Sequence, residues 1–370
     1  MAQNLILKLT TPLQESTFDF SEQPFYEALN NWLSFLRSFN KVVCIVDVNV
    51  LKAQDAVLKF SLHAHYSDVI WYSLPSGESA KSLTTVYELY DFLIENNVSR
   101  NSLLIAIGGG VTSDLAGFVA ATYLRGIAYA IIPTTLLSMV DSCLGGKNGV
   151  NLSLAKNAVG TIYQPSKVLI CPYLLKTLPE RSIRSGLAEI IKYALLGEKS
   201  IWEWLESNSF LDFQVLPSIP IIYNCLQLKA QIVQADPYEI NSSGGRRLLN
   251  LGHTFAHAIE QVDDYKTYEH GEAVAIGLYL AASLSRLCGY LNAADLTSIQ
   301  AILSKCSLPY KLVVPLKIQS LIAAMKRDKK QKDAATFTCV LLRNIGDAFI
   351  MEGISEKTVS NLWLSVGATE

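Results

Sequence analysis

Long blocks of like charge are missing from this chain of 370 residues, whose formal net charge is only −2. That absence excludes nucleic-acid or membrane-surface binding driven by bulk charge, so any anion must be met by individually placed Lys and Arg. No apolar run approaches the ~18 residues that a membrane span needs. Met1 to Lys8 lacks the basic start and apolar run of a secretory leader. Cysteine is sparse and unpatterned, seven residues with no C-x-x-C pair. This argues against a disulfide framework and for reduced thiols, so the expected location is cytoplasmic. No internal repeat is present, and no G-x-x-x-x-G-K-[ST] phosphate loop. Histidine is scarce as well, five in all, which makes its placement informative.

What is there changes texture halfway. Val42–Asp47, Val69–Leu74, Leu103–Ile107, Tyr129–Ile132 and Val168–Cys171 read as short buried strands. Helical patterns such as Ala80–Glu95 and Ser113–Leu124 lie between them. Strand–helix alternation predicts an α/β, Rossmann-like N-terminal domain with a parallel sheet. After Pro172 the patterns turn helical: Pro179–Leu196, Ile201–Glu206, Pro220–Ala235, Thr254–Val262, Gly271–Cys288 and Ala293–Cys306. The expected division is residues 1–174 and 175–370, the second part mainly α-helical. Asn241–Gly245 is the clearest loop.

Three segments bring metal-binding chemistry together: G-L-A-E-I-I-K-Y (Gly186–Tyr193), N-L-G-H-T-F-A-H (Asn250–His257) and E-H-G-E-A (Glu269–Ala273). They supply Glu189, His253 and His270, one carboxylate and two imidazoles, a set able to hold a divalent metal with a position left for substrate. His257 follows His253 by one turn and shares its helix face, as a further ligand or an acid–base group. Any one histidine alone reads as a core residue; together with Glu189 they read as a site. His63 and His65, in S-L-H-A-H-Y, alternate as in a strand and receive no function.

Other segments suit anions. Gly108-Gly109-Gly110 follows a strand and precedes a helix, where backbone N–H groups can approach a pyrophosphate; the plain alternative is a tight turn. Asp114 reads either as a partner for a hydroxyl or as an ordinary first-turn acid. Asp47 ends a strand, with Asn49 next, and suits a ribose or a loop cap. Gly77-Glu78 with Lys81, and Thr134-Thr135 after Pro133, lie at similar strand ends. Asp141–Asn151 (D-S-C-L-G-G-K-N-G-V-N) resembles a second anion loop around Lys147. Arg125, Lys147, Lys156 and Lys192 are expected around loops rather than on helix faces.

Over nearly its whole length, from about Asp47 to Gly346, the chain resembles the 3-dehydroquinate synthase family of sugar-phosphate cyclases. The matching text includes G-G-G-V-x-x-D-L-A-G-F from Gly108, P-T-T-L-L-x-x-V-D-S-x-x-G-G-K to Lys147, and L-L-N-L-G-H-T-F-x-H-A-I-E to Glu260. The resemblance implies an NAD-binding domain joined to a helical metal-binding domain, with the active site in the cleft. It implies metal ligation, by zinc or cobalt, at Glu189, His253 and His270. It implies NAD contacts at Asp47, Asn49, Glu78, Lys81, Gly109, Gly110, Asp114, Thr134 and Thr135. Substrate contacts are implied at Asp141, Lys147, Lys156, Asn157, Lys192, Lys229, Arg246, Asn250, His257 and Lys329. Catalytic parts fall to Arg125, Lys147, Asn157, Lys192 and His257. Asn148 departs from the family pattern, where Thr is more usual, and the Lys229–Arg246 interval is a few residues longer.

The activity so implied is conversion of 3-deoxy-D-arabino-heptulosonate 7-phosphate to 3-dehydroquinate and phosphate, in the shikimate pathway. It proceeds by transient oxidation, phosphate elimination, reduction and intramolecular aldol closure. A sugar phosphate is the expected small-molecule partner, with no nucleic acid, no membrane, and a homodimer as the assembly. The competing readings are another sugar-phosphate cyclase, a metal-dependent polyol dehydrogenase, and a non-catalytic NAD-binding protein. A dehydrogenase has no need of the Lys and Arg set, and a non-catalytic protein has no need of intact ligands.

Overall fold

Uninterrupted aliphatic runs form the centre of the first unit. Val42 through Val46 and Leu103 through Ile107 are almost wholly shielded from solvent, the pattern of strands covered on both faces. The computed structural model describes residues 5–10, 14–66, 68–152, 155–210, 215–241, 244–264, 266–327 and 336–370. These fall into two compact units, Met1–Pro179 with Pro217–Ala230, and Glu180–Leu216 with Gln231–Glu370.

In chain order the first unit contains β1 (Ile6–Thr10), β2 (Glu15–Phe20), α1 (Phe25–Trp32), β3 (Lys41–Asp47), α2 (Val48–His65), β4 (Val69–Leu74), α3 (Leu83–Glu95), β5 (Ser102–Gly108), α4 (Gly110–Thr122), β6 (Ala128–Pro133), β7 (Lys147–Leu152), β8 (Ala155–Ile162) and β9 (Lys167–Ile170). Seven strands make one sheet in the order β1-β2-β9-β6-β5-β3-β4, parallel throughout except for β1 against β2. Strand β3 pairs with both β4 and β5, so the winding reverses there. The carboxyl end of such a switch point is where α/β sheets bind ligands. Asp47 ends β3 and Gly108 ends β5, which places two candidate segments at that edge.

The second unit contains α5 (Glu180–Leu195) and α6 (Lys199–Ser207). Helix α7 (Ile219–Ala235) follows, its length through Ala230 belonging to the first unit. Then come α8 (His253–Asp263), α9 (His270–Leu287), α10 (Ala293–Lys305), α11 (Ile318–Arg327), the antiparallel hairpin β10 (Thr336–Asn344) and β11 (Asp347–Ser355), and α12 (Glu356–Ser365). Among its described residues the second unit is therefore helical with one hairpin.

Several expectations are corrected. The expected division at 174/175 is replaced by one at Pro179/Glu180. Pro217–Ala230 returns to the first unit because Lys229 bonds the Asp141 carbonyl at 2.8 Å and its carboxylate at 3.1 Å, and Tyr223 packs edge-on against Phe20. His63 and His65 lie in the last turn of α2 rather than in a strand. An 18-residue helix capped by Asp47 overrides their local alternation. Lys147 and Lys156 stand on the strands of the β7–β8 hairpin rather than on loops, while Lys192 lies on α5 one turn from Glu189, within the helix expected over Pro179–Leu196. Strands β1, β2, β7 and β8 escaped the periodicity reading because they are short or polar on one face; β10, with six successive buried residues, was missed along with its partner β11.

Helices α8 and α9 meet backbone to backbone. Gly252, at φ 78°, caps α8, and a Cβ on Gly277 of α9 would run into the Gly252 carbonyl. Gly277→Ala should therefore cost on the order of 1–3 kcal/mol, the usual penalty for overpacking, read as a lower midpoint in denaturant unfolding. An unchanged midpoint would show that the two helices separate freely.

Candidate functional site

Glu189 sits on α5, and His253 and His270 are the first residues of α8 and α9. Glu189 Oε1 lies 3.3 Å from His253 Nε2 and 3.2 Å from His270 Nε2. The three ligand atoms all fall within 4.8 Å of one another. The helix starts are brought together by small residues and one arginine. Gly271 donates its N–H to Ser185 Oγ at 2.9 Å, one turn before Glu189, and a Cβ there would collide with the Ser185 backbone. Arg181 of α5 grips Glu272 through two bonds of 2.9 and 2.7 Å. Glu272 and Glu269 form the capping box of α9.

The second ring nitrogens are also held. His253 Nδ1 faces the Leu251 carbonyl at 3.1 Å, and His270 Nδ1 faces Glu260 Oε1 at 2.8 Å. A neutral ring with Nδ1 as donor would turn its Nε2 lone pair toward Glu189 Oε1, and three acceptors at such distances need a cation between them, either a metal ion or the proton of one ring. An N₂O donor set with oriented imidazoles and an outer carboxylate fits zinc or cobalt.

The electrostatics agree. Burial alone would raise the Glu189 carboxyl, but Lys192 and His253 hold it well below the usual range. Burial brings His253 down to about 4, leaving a neutral ring suited to ligation. His270 goes the other way: burial disfavours its charge, but Glu260 and Glu189 raise it to about 10. In the metal-free protein this ring carries the cation that the site demands.

Around this centre, Lys192 Nζ lies 2.5 Å from Glu189 Oε2 and sits over the Tyr193 ring. His257 presents its ring 5.6 Å from that of His253, at 83°, outside the three-ligand set. Arg246 is buried, its Nη1 donating to the Pro237 carbonyl at 2.8 Å. Asn250 donates to Glu239 and to the Arg247 carbonyl, both at 3.1 Å. Asp236 accepts the N–H groups of Ile240 and Arg246 at 3.0 and 3.1 Å. It thereby organises both ends of the segment read as a loop, whose residues 242 and 243 lie outside the described residues.

The remaining candidates belong to the first unit. Asp47 accepts from the Asn49 N–H at 2.8 Å and the Ser76 hydroxyl at 2.6 Å, and Asn49 Nδ2 donates to Ser76 at 2.8 Å. Helix α4 begins at Gly110, which moves Asp114 out of the first turn. Lys81 pairs with its carboxylate. Burial raises the Asp114 carboxyl, with Lys81 opposing. A side chain on Gly109 would crowd Thr135, and one on Gly110 would crowd Ser142. The Thr134 N–H donates to the Gly108 carbonyl at 2.9 Å, and Thr135 Oγ1 accepts from Ser138 N–H at 3.1 Å. Lys229 is joined to Asp141, as above. Glu78 faces Lys156 at 3.4 Å. Burial opposes ionisation of its carboxyl, but Lys156 and Lys81 hold the pKa below the ordinary value. Lys147 opens β7 as an exposed residue, and Asn157 stands at φ 49° on β8. Arg125 is exposed at φ 66°, just before Gly126 at φ 121°. Lys329 lies outside the described residues.

The sequence reading missed Ser76, Asn151, Asp236, Glu239 and Glu260. Glu260 carried a signal: it follows His253 by seven residues and His257 by three, on the same helix face. Asn148, the departure from the family pattern, is buried and donates to the Gly146 and Tyr163 carbonyls at 2.8 Å each. It braces the turn that precedes Lys147.

Comparison with known proteins places these residues in context. The family model described as 3-dehydroquinate synthase N-terminal matches residues 71–185, and that described as 3-dehydroquinate synthase C-terminal matches 186–331. A 3-dehydroquinate synthase of Opitutus terrae is 44% identical over 329 residues, covering 89% of this chain and 90% of that one. One of a Nostoc species is 41% identical, covering 81% and 83%. Among solved structures, 2-epi-5-epi-valiolone synthase from Streptomyces hygroscopicus, with NAD+ and Zn2+ bound, is 29% identical. It aligns with a TM-score of 0.84 over 96% of this chain and 98% of that one. A 2-deoxy-scyllo-inosose synthase complexed with carbaglucose-6-phosphate, NAD+ and Co2+ shares the fold, at TM-score 0.88 and 24% identity over 98% and 100%. So does a probable glycerol dehydrogenase from Sinorhizobium meliloti, at 0.63 and 16% over 94% and 95%. With both family models matching in succession over residues 71–331, the chain belongs to the 3-dehydroquinate synthase family.

Proposed function

We propose that this chain converts 3-deoxy-D-arabino-heptulosonate 7-phosphate to 3-dehydroquinate and phosphate, using NAD and a divalent metal ion. The observation that carries the reading is the convergence of buried Glu189 with half-buried His253 and His270, the rings oriented by Leu251 and Glu260, in a chain 44% identical to a 3-dehydroquinate synthase. The other cyclases and the polyol dehydrogenases share the fold at lower identity. The 29% identity to the valiolone synthase supports the dehydroquinate branch by contrast.

Zinc or cobalt bound by Glu189, His253 and His270 supplies a Lewis acid that polarises the oxygen to be oxidised. NAD, held by the Asp47, Glu78, Lys81, Gly109–Gly110, Asp114 and Thr134–Thr135 set, supplies a hydride acceptor that returns what it takes. The chain's own residues do the rest. His257 accepts the hydroxyl proton at its imidazole. Lys147, Lys156, Arg125 and Asn157 hold the phosphate dianion and stabilise its charge as it leaves. Lys192, Asp141, Lys229, Arg246 and Asn250 orient the ring hydroxyls and carboxylate. Lys192 also has a resting role, since its ammonium balances Glu189 where water cannot. The cysteines are all thiols, which supports a reducing, cytoplasmic location. Among the described residues no helix is long and apolar enough to cross a membrane. A homodimer completes the reading, to be checked by sedimentation.

The deciding assay is phosphate release from the heptulosonate phosphate with NAD, with and without metal. Chelation should abolish turnover and zinc or cobalt restore it, with many turnovers per NAD and no steady rise of NADH. Stoichiometric NADH would favour the polyol dehydrogenase. His253→Ala should lose the metal, because two protein ligands hold it poorly. His257→Ala should keep the metal while turnover falls; equal metal loss in both variants would make His257 a ligand. Ligation needs neutral His270, yet Glu260 and Glu189 keep that ring protonated up to about 10. Metal uptake near neutrality should therefore release about one proton, and affinity should climb as pH rises. Calorimetry in buffers of different ionisation enthalpy measures the release; an affinity independent of pH would contradict it.

A further inference from the structure

The β7–β8 hairpin has an irregularity at a telling place. Val150 pairs with Val159, but the next pair is Leu152 with Ala155. Asn151 thus stands alone opposite Lys156, Asn157 and Ala158. Such a bulge breaks the ladder and re-aims side chains, a device common beside active sites. Asn157 takes φ 49° within it, a left-handed conformation that Asn tolerates better than most residues. The Asn157 N–H is taken up by Asn151 Oδ1 at 3.0 Å.

The other end of the same amide does something different. Asn151 Nδ2 donates to Glu78 Oε1 at 2.8 Å, and its backbone N–H donates to the Lys81 carbonyl at 2.8 Å. Lys156 Nζ, from the bulge, lies 3.4 Å from that same Glu78 oxygen. The contacts close a ring through Asn151, Glu78, Lys156 and Asn157. A donor and an acceptor are both needed in one short side chain. Aspartate lacks the donor, and alanine lacks both.

We propose that Asn151 is a positioning residue that holds the Glu78 carboxylate and the Lys156–Asn157 bulge in one geometry, coupling the cofactor and substrate sides of the first unit. The inference rests on the roles proposed above for Glu78, Lys156 and Asn157. It goes beyond them by making the two binding events share one amide.

The test uses the full chain and reads binding of NAD, and of a non-leaving phosphonate analogue of the substrate, by calorimetry, with thermal unfolding in parallel. Asn151→Ala should weaken both ligands, each by on the order of three- to tenfold, the worth of one hydrogen bond. Leu152→Ala, on the exposed neighbour, should weaken neither. In a Glu78→Ala background the same Asn151→Ala change should leave NAD affinity alone while still weakening the phosphonate through Asn157. Should Asn151→Ala unfold too readily, Asn151→Asp gives a second reading. Its carboxylate opposes Glu78, which also faces Lys81 and Lys156, with Asp114 beyond Lys81. NAD affinity should then fall at least as far as in Asn151→Ala, while the phosphonate keeps its affinity because the Asn157 N–H still has an acceptor. Native affinities in Asn151→Ala beside a lowered unfolding temperature would make Asn151 merely structural and overturn the inference. So would an NAD effect undiminished in the Glu78→Ala background. If Glu78→Ala itself binds NAD normally, the cofactor role of Glu78 is what fails, and the coupling falls with it.

Discussion

Three acceptor atoms facing one another inside protein make a demand that the rest of the second unit is built to meet. Glu189 Oε1 stands within 3.3 Å of two imidazole nitrogens and is shielded from water. Left uncompensated, a buried carboxylate there would cost several kcal/mol. The compensation comes from Lys192, from the proton on His270, and in the working protein from a divalent ion. The packing follows from that demand. Gly271 lets α9 touch α5 near Glu189, Gly252 and Gly277 let α8 touch α9, and Arg181 ties the start of α5 to the capping box of α9. Each contact fixes the first turn of a helix whose first residue is a candidate ligand.

The first unit solves a different problem by related means. Its candidate residues are charged, sit at the carboxyl edge of a sheet, and are already paired before any ligand arrives. Lys81 holds Asp114, Lys229 holds Asp141, and Lys156 and Asn151 hold Glu78. Such pairs keep long side chains in defined rotamers, so less ordering remains to be done on binding.

Much of this was open to a reading of the chain alone, and the misses have physical causes. The candidate metal set was legible because three of the chain's five histidines fell in compact motifs together with Glu189. The central strands were legible because β3 and β5 are built on continuous apolar runs, Val42–Val46 and Leu103–Ile107. Strand β2 was not, since Ser16, Phe18 and Phe20 face inward between polar neighbours. His63 and His65 were misread because a two-residue period over a few positions cannot outweigh a capped helix. Pro217–Ala230 was assigned to the wrong unit because a helix pattern says nothing about which core receives it; Tyr223 and Lys229 decide that.

By itself the amino-acid order determined the inventory: which residues can bind a metal, which can bind an anion, and that strands alternate with helices before the chain turns helical. Those properties are local, set by side-chain chemistry and by the period of apolar residues. Only the tertiary structure decided who faces whom. Glu260 orients His270 across ten residues, Asn151 reaches Glu78 across seventy-three, and Lys229 finds Asp141 across eighty-eight. Such pairings depend on where whole elements pack, and packing is fixed by the summed burial of distant surfaces. No short stretch of sequence contains that information.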